Sequence, residues 1–196
     1  MGFLDCLRLD GFSGHWCICP IQNETVVVIC MDVILRDISE GDSDWLHGLN
    51  EACLPAVNQL SQKDLWALVR KTAVTRVAEL DGQPVGVAMT LAPKVGHTSM
   101  NYLWFDQRFD DFLYLDRIMV DDRARGAGIG KALYQDVFQF AATLPGIRAV
   151  TCEVNLRPFN AGSLKFHAAL GFVTVGEQET EGGKKAVSLM RRPVGV

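Results

Sequence analysis

Apolar residues along this chain fall into two kinds of stretch. Seven short ones are alternating or continuous and rich in β-branched and aromatic residues, as strands require: Val33–Ile38, Ala73–Leu80, Pro84–Leu91, Phe112–Val120, Arg148–Asn155, Phe172–Gly176 and Ala186–Met190. Four others repeat apolar positions every three or four residues, which gathers them on one face of a helix. The first starts at Trp45 behind a cap at Ser43 or Asp44 and continues through Leu46, Leu49, Ala52, Cys53 and Ala56, but Pro55 predicts a kink or a break in it. The second runs from Gln62 to Lys71 with Ser61 as its cap. The third begins near Gly128 and runs to Ala142, its apolar face formed by Ile129, Leu133, Val137, Phe138, Phe140 and Ala141, and Pro145-Gly146 ends it. The fourth spans Asn160–Leu170 and stops at Gly171-Phe172.

The connections fix the layout further. Asp81-Gly82-Gln83 is a hairpin signal, and the polar segment Glu177–Lys185 reads as a loop between the last two strands. Residues 92–111 read as one long loop. Its aromatics Tyr102, Trp104 and Phe105 suit either a substrate pocket or a cover over the core. The element order predicts an α/β (α+β) layer fold, a mixed central sheet flanked by helices. Residues 1–30 stand apart, rich in Gly, Cys and Trp and without a sustained period. Two readings fit them. One is an N-terminal extension upstream of a functional start at Met31, with the domain spanning 31–196; the other is a small strand-like addition using Thr25–Cys30.

Composition narrows the function. With 196 residues, 48% of them hydrophobic, the chain can bury one sizeable core. A net charge of -4 lacks the basic excess of a general nucleic-acid binder, so no nucleic acid is expected. The apolar run Thr25–Met31 is short and is followed by Asp32, and Asp5 and Asp10 offset Arg8 at the start. No membrane association is expected, and a cytoplasmic location is. Cys53 and Cys152 stand alone in the body, as reduced thiols do. Cys17-Ile18-Cys19 has C-x-C rather than C-x₂-C spacing with no second pair, so no metal is expected.

The densest chemistry lies at Arg123-Ala-Arg-Gly-Ala-Gly-Ile-Gly130, between a strand and a helix. Glycines there let the backbone turn sharply and approach a ligand, and the first amides of the helix point outward at the positive end of its dipole. That makes an anion cradle suited to a phosphate or pyrophosphate. It is not a Walker loop, since Ala132 follows Gly130-Lys131 where a hydroxyl is needed, and Gly126-Ala-Gly128-Ile-Gly130 is not G-x-G-x-x-G. Arg125-Gly126-Ala127-Gly128-Ile129-Gly130 fits R-x-x-G-x-G instead. Downstream, Asn155, Asn160, Ser163, Phe166, Gly171 and Phe172 fit a second pattern, N-x-x-[SA]-x-x-[FL]-Y-x-x-x-G-F preceded by a strand-end Asn. Together, over about residues 112–172, these motifs resemble the GNAT N-acetyltransferase superfamily.

The resemblance implies the GNAT acyl-CoA N-acyltransferase fold, with the fourth and fifth strands splayed to admit a pantetheine arm. It implies acetyl-CoA as cosubstrate and acetyl transfer to a primary amine, on a small molecule or on an exposed protein or peptide amino group. A homodimer is compatible with it. Backbone at Ile118, Met119 and Val120 would meet the pantetheine and thioester; Arg125, Gly126, Ala127, Gly128, Ile129 and Gly130 would hold the pyrophosphate; Asn155, Asn160 and Ser163 complete the CoA set. The family's usual Tyr is replaced by His167, whose imidazole either protonates the departing thiolate or merely packs beside the CoA arm. Asp116, placed by strict strand alternation on the face of Tyr114, Ile118 and Val120, is the candidate base, with a structural ion pair to Arg117 as the other reading. Glu153 and Glu79 stand in reserve. The same fold without the chemistry would be an acyl-CoA-binding or sensor module, and a different nucleotide or phosphate ligand is the third possibility.

Overall fold

The structure, a computed structural model, describes residues 6–7, 15–21, 24–30 and 33–195. Strands β1 (Cys6–Leu7), β2 (His15–Ile21) and β3 (Glu24–Cys30) form a small antiparallel sheet of their own. The candidate start at Met31 lies outside the described residues.

From Val33 onward the chain builds a seven-stranded mixed sheet. Its strands are β4 (Val33–Asp37), β5 (Val74–Leu80), β6 (Gln83–Leu91), β7 (Phe112–Val120), β8 (Ala149–Arg157), β9 (Val173–Thr180) and β10 (Lys185–Pro193), in the order β4-β5-β6-β7-β8-β10-β9. All neighbours are antiparallel except β7 and β8. Helices α1 (Ser43–Ala52), α2 (Gln62–Val69) and α3 (Met100–Asp106) cover one face, where Leu46, Leu49, Leu65, Leu68, Tyr102 and Phe105 pack on Val77, Met89 and Tyr114. Helices α4 (Ile129–Thr143) and α5 (Ala161–Ala169) cover the other, with Ile129, Leu133, Tyr134 and Val137 against Leu113, Leu115, Val150 and Cys152. Strand β6 is buried on both faces, which is why its run from Val85 to Leu91 is almost wholly apolar.

Most elements fall where the pattern puts them. Ser61 caps α2 by accepting from the Asp64 N–H. Pro55 acts as a break, since α1 already ends at Ala52. Two expectations need correction. The segment 92–111 is not one loop, because α3 forms inside it and buries Tyr102 and Phe105 completely. These aromatics therefore belong to the core. The polar segment Glu177–Lys185 is mostly strand: β9 and β10 continue through it and only Glu181–Lys184 turns. Strand β9 is an edge with a largely exposed face, so polar residues there reflect solvent rather than a loop.

Two irregularities shape the site. Strand β7 pairs with β8 only from Phe112 to Tyr114, opposite Ala149 to Thr151. Beyond that point the strands part, while β8 stays bonded to β10 as far as Arg157. The second is a bulge. Arg117 faces Met89 and Leu115 faces Thr90, which leaves Asp116 as an extra residue in β7. Tyr114 and Met119 therefore share the α1–α3 core, whereas Leu115, Ile118 and Val120 share the α4 core. The strict alternation that grouped Asp116 with Tyr114, Ile118 and Val120 fails at this bulge.

Candidate active site

The cradle takes the form the glycines demand. Gly126 and Gly128 have φ of 82° and 79°, the left-handed region where a side chain strains the backbone. Gly128 is the N-cap of α4 and no side chain caps it, so the first amides of the helix stay available to an anion. Gly130 is different. Its φ is ordinary, and a Cβ there would meet only the Phe166 ring at 3.5 Å. Arg123 and Arg125 are engaged with Asp121 and Asp122 in exposed ion pairs, the kind that holds a side chain only weakly.

Where β7 and β8 part, a cleft of about 840 Å³ opens. It brings together Asp116, Ile118, Asn155, Asn160, Ser163 and His167 from the candidate set. Met119, Val120 and residues 125–130 are not part of its wall. Asn160 serves its own helix: its Oδ1 accepts the Ser163 N–H at 3.0 Å as the N-cap of α5.

Four carboxylates line the cleft; Asp64 and Glu181 are exposed, while Asp116 and Glu153 lie deeper, and their surroundings push those two apart. Asp116 is buried, which favours the acid form, but His97 at 3.1 Å and Arg117 at 2.9 Å outweigh burial and hold its carboxyl below the usual range. Arg117 also donates to the side-chain oxygens of Asn50 at 2.6 Å and Asn58 at 2.7 Å. Asp116 and Arg117 thus tie β7 to α1 and the segment after it. Glu153 lies on the cleft wall, crowded by protein on its other sides. Burial pushes its carboxyl up to about 7, against the opposing hydrogen bonds from the Tyr114 hydroxyl (2.6 Å to Oε2) and the Asn101 amide (3.0 Å to Oε1). Each oxygen keeps a further lone pair. Glu79 is occupied elsewhere, accepting from Arg36 at 2.6 Å.

His167 is buried with both ring nitrogens engaged. Nδ1 lies 2.7 Å from the Ser163 carbonyl, which only accepts, so Nδ1 carries the proton. Burial lowers the imidazole's pKa and keeps it neutral. Nε2, then a bare lone pair, accepts the Tyr134 O–H at 2.6 Å. The resting imidazole offers the cleft no proton of its own; Tyr134, on α4, supplies a hydroxyl on the same wall. Among the described residues, no group of three or more His, Cys, Asp or Glu side chains is arranged to hold a metal ion.

Sequence reasoning left Tyr114, Tyr134, His97 and Asn101 out. A signal existed for two of them. A hydroxyl at a helix core position, as at Tyr134, and one in an apolar strand, as at Tyr114, each require a buried partner.

The sheet is mixed, parts beside a glycine-led helix N-terminus and holds an ionisable cleft behind it. Residues 43–172 match the family model described as Acetyltransferase (GNAT) family, and the chain belongs to that family. No curated protein matches it in sequence. Solved structures share the fold at low identity. The ribosomal-protein-S18-alanine N-acetyltransferase of Escherichia coli superposes with a TM-score of 0.65 at 15% identity, covering 84% of this chain and 96% of that one. Ard1 from Thermoplasma volcanium gives 0.67 at 18% identity over 84% and 99%. NAA60 of Arabidopsis thaliana, in complex with acetyl-CoA, gives 0.66 at 17% identity over 83% and 100%. Among the described residues no helix is long and apolar enough to cross a membrane.

Proposed function

We propose that this protein transfers the acetyl group of acetyl-CoA directly to a primary amine in the cleft between β7 and β8, with Glu153 as the general base. The observation that carries the reading is Glu153 itself. Its carboxyl is held near 7, it faces the cleft, and it keeps free lone pairs. A base is most effective when its pKa lies near the working pH. Asp116, fixed as the ionised partner of His97 and Arg117, is better suited to holding the cleft wall.

In this reading the cradle amides from Arg125 to Gly130 take the pyrophosphate, and the stretch of β7 freed from β8, Ile118 to Val120, takes the pantetheine and thioester. Asn155 and Ser163 flank the arm, and Asn160 shapes it by starting α5. Glu153 removes a proton from the attacking nitrogen, the nitrogen bonds to the acetyl carbon, and the carbon–sulfur bond breaks. Burial holds the Tyr134 phenol well above its ordinary pKa, so it is a poor source of a fully transferred proton. Turning its O–H from His167 Nε2 to the sulfur stabilises the thiolate by a hydrogen bond instead. His167 then positions Tyr134.

The acceptor is a primary amine on a small molecule or a peptide. The shared fold with an enzyme named for an alanine of ribosomal protein S18 is a reason to test peptide α-amines beside polyamines, amino acids and aminoglycosides. The experiment is thiol release from acetyl-CoA with that panel. Turnover with at least one acceptor, lost in Glu153→Gln, is expected. Tight CoA binding without turnover on any amine would make the protein a CoA-binding module instead.

A further inference from the structure

Resting on Glu153 as the base, one feature of its surroundings is unusual. Its hydrogen bonds come from two different parts of the molecule. Tyr114 belongs to the sheet, but Asn101 stands on α3 and is itself bonded to the closing hairpin, where Gln178 Nε2 donates to Asn101 Oδ1 at 2.9 Å. The direction of this chain is fixed by chemistry. An ionised carboxylate only accepts, so Asn101 must face Glu153 with its NH₂; its carbonyl is then left for Gln178, which must present its own NH₂. A flipped Asn101 would aim a carbonyl at a carboxylate.

We propose that Asn101 and Gln178 are positioning residues for the base: Gln178 locks Asn101 with its N–H toward Glu153, and Asn101 holds the Glu153 carboxylate toward the cleft while linking it to the β9–β10 hairpin. The hairpin turn supplies Thr180, Glu181 and Lys185 to the cleft wall, so an acceptor that presses on the hairpin reaches the base through two amides. The other groups bearing on Glu153 are Tyr114 and Asp116 from β7, Tyr134 from α4, and the adjoining Cys152. Strand β10 sets apolar Leu189 opposite it. Asn101 and Tyr114 favour the carboxylate, while Asp116 opposes it.

The test follows the Glu153 carboxyl directly by carbon NMR in the free, full-length protein, with its signal assigned by its loss in Glu153→Gln. Asn101→Ala should raise the titration midpoint by about one pH unit, the size of one hydrogen bond to a charged group. The buried Tyr102 and Phe105 keep α3 in place, and an unchanged melting temperature verifies that. Gln178→Ala should raise the midpoint less. Gln178→Glu should raise it as much as Asn101→Ala, because an acceptor at 178 draws the Asn101 NH₂ to itself and turns its carbonyl on Glu153. In the double variant with Asn101→Ala, Gln178→Glu should add nothing. A midpoint unmoved by Asn101→Ala overturns the proposal. So does a Gln178→Glu effect that survives the loss of Asn101, since it would then be plain charge repulsion. The pH profile of kcat/KM, measured with acetyl-CoA and the best acceptor of the amine panel, separates the two readings. In Asn101→Ala its acid limb should move with the carboxyl midpoint. A midpoint that moves while the limb stays fixed refutes Glu153 as the base but leaves the amide chain standing.

Discussion

Glu153 is the only charged residue in the stretch Ala149–Val154 of β8, and the strand around it is buried. Its folded pKa, about 7, lies above its ordinary 4.5. Raising the pH through that window ionises Glu153 readily in the unfolded chain and reluctantly in the folded one. Its contribution to stability is fully present below 4.5 and is lost as the pH passes 7, an effect of roughly 3 kcal/mol. Glu153→Gln should therefore melt several degrees above the native protein at pH 8, with the gap closing toward pH 4.5. Thermal denaturation at the two pH values measures this, and an equal gap at both would contradict it. On the same wall, Tyr134→Phe and His167→Ala should each lower kcat about tenfold or more and leave CoA affinity nearly unchanged, as steady-state kinetics and calorimetry would show. The sequence put Asp116 first and held Glu153 and Glu79 in reserve. The reverse order that we propose depends on His97, Asn101 and Tyr114 arriving from other elements, which spacing does not report. His167 was legible as a departure from the family pattern, but its engagement with Tyr134 spans two helices and leaves no trace in spacing.

At the level of elements, the cradle was the most legible part. Its glycines and the amphipathic helix that follows are local, and local sequence decides them. Gly130 allows a clean separation of fold from ligand binding. Alanine there fits the helix and touches only Phe166, so the melting temperature should hold or rise slightly while CoA binding weakens about tenfold. Gly128→Ala, strained at a φ of 79°, should cost about 1–2 kcal/mol of stability as well. Calorimetry with CoA beside thermal melts distinguishes the two. Helix α3 was illegible: it is short, lacks a side-chain cap and is packed with aromatics that favour strands. Tertiary packing makes it helical. Its Trp104 fills the space over Gly176 of β9, where a Cβ would come within 2.5 Å of the indole. Gly176→Ala should accordingly cost about 1–3 kcal/mol and lower the melting temperature. It should slow transfer too, since α3 carries Asn101.

For the whole molecule, the order of the main sheet's strands and of every α-helix but α3 followed from the pattern, because periodicity reports which face of each element is buried. The splay of β7 from β8 came only through the family resemblance, and the bulge at Asp116 came from neither source. A bulge adds one residue without altering composition, yet it moves everything after it to the other face. Site and architecture are linked at this point. The bulge leaves Asp116 as an extra residue in β7, the parting of β7 from β8 opens the cleft, and two sheet-borne carboxylates meet there in different states of ionisation. The measurement that bears most directly on this arrangement is the ratio of kcat/KM for acetyl transfer in the native protein to that in Glu153→Gln, taken across pH. The ratio cancels the acceptor's own titration. It should be about 10²–10⁴ above pH 8 and fall tenfold per pH unit below about 7. A ratio near one, or one that does not change with pH, would show that Glu153 is not the base.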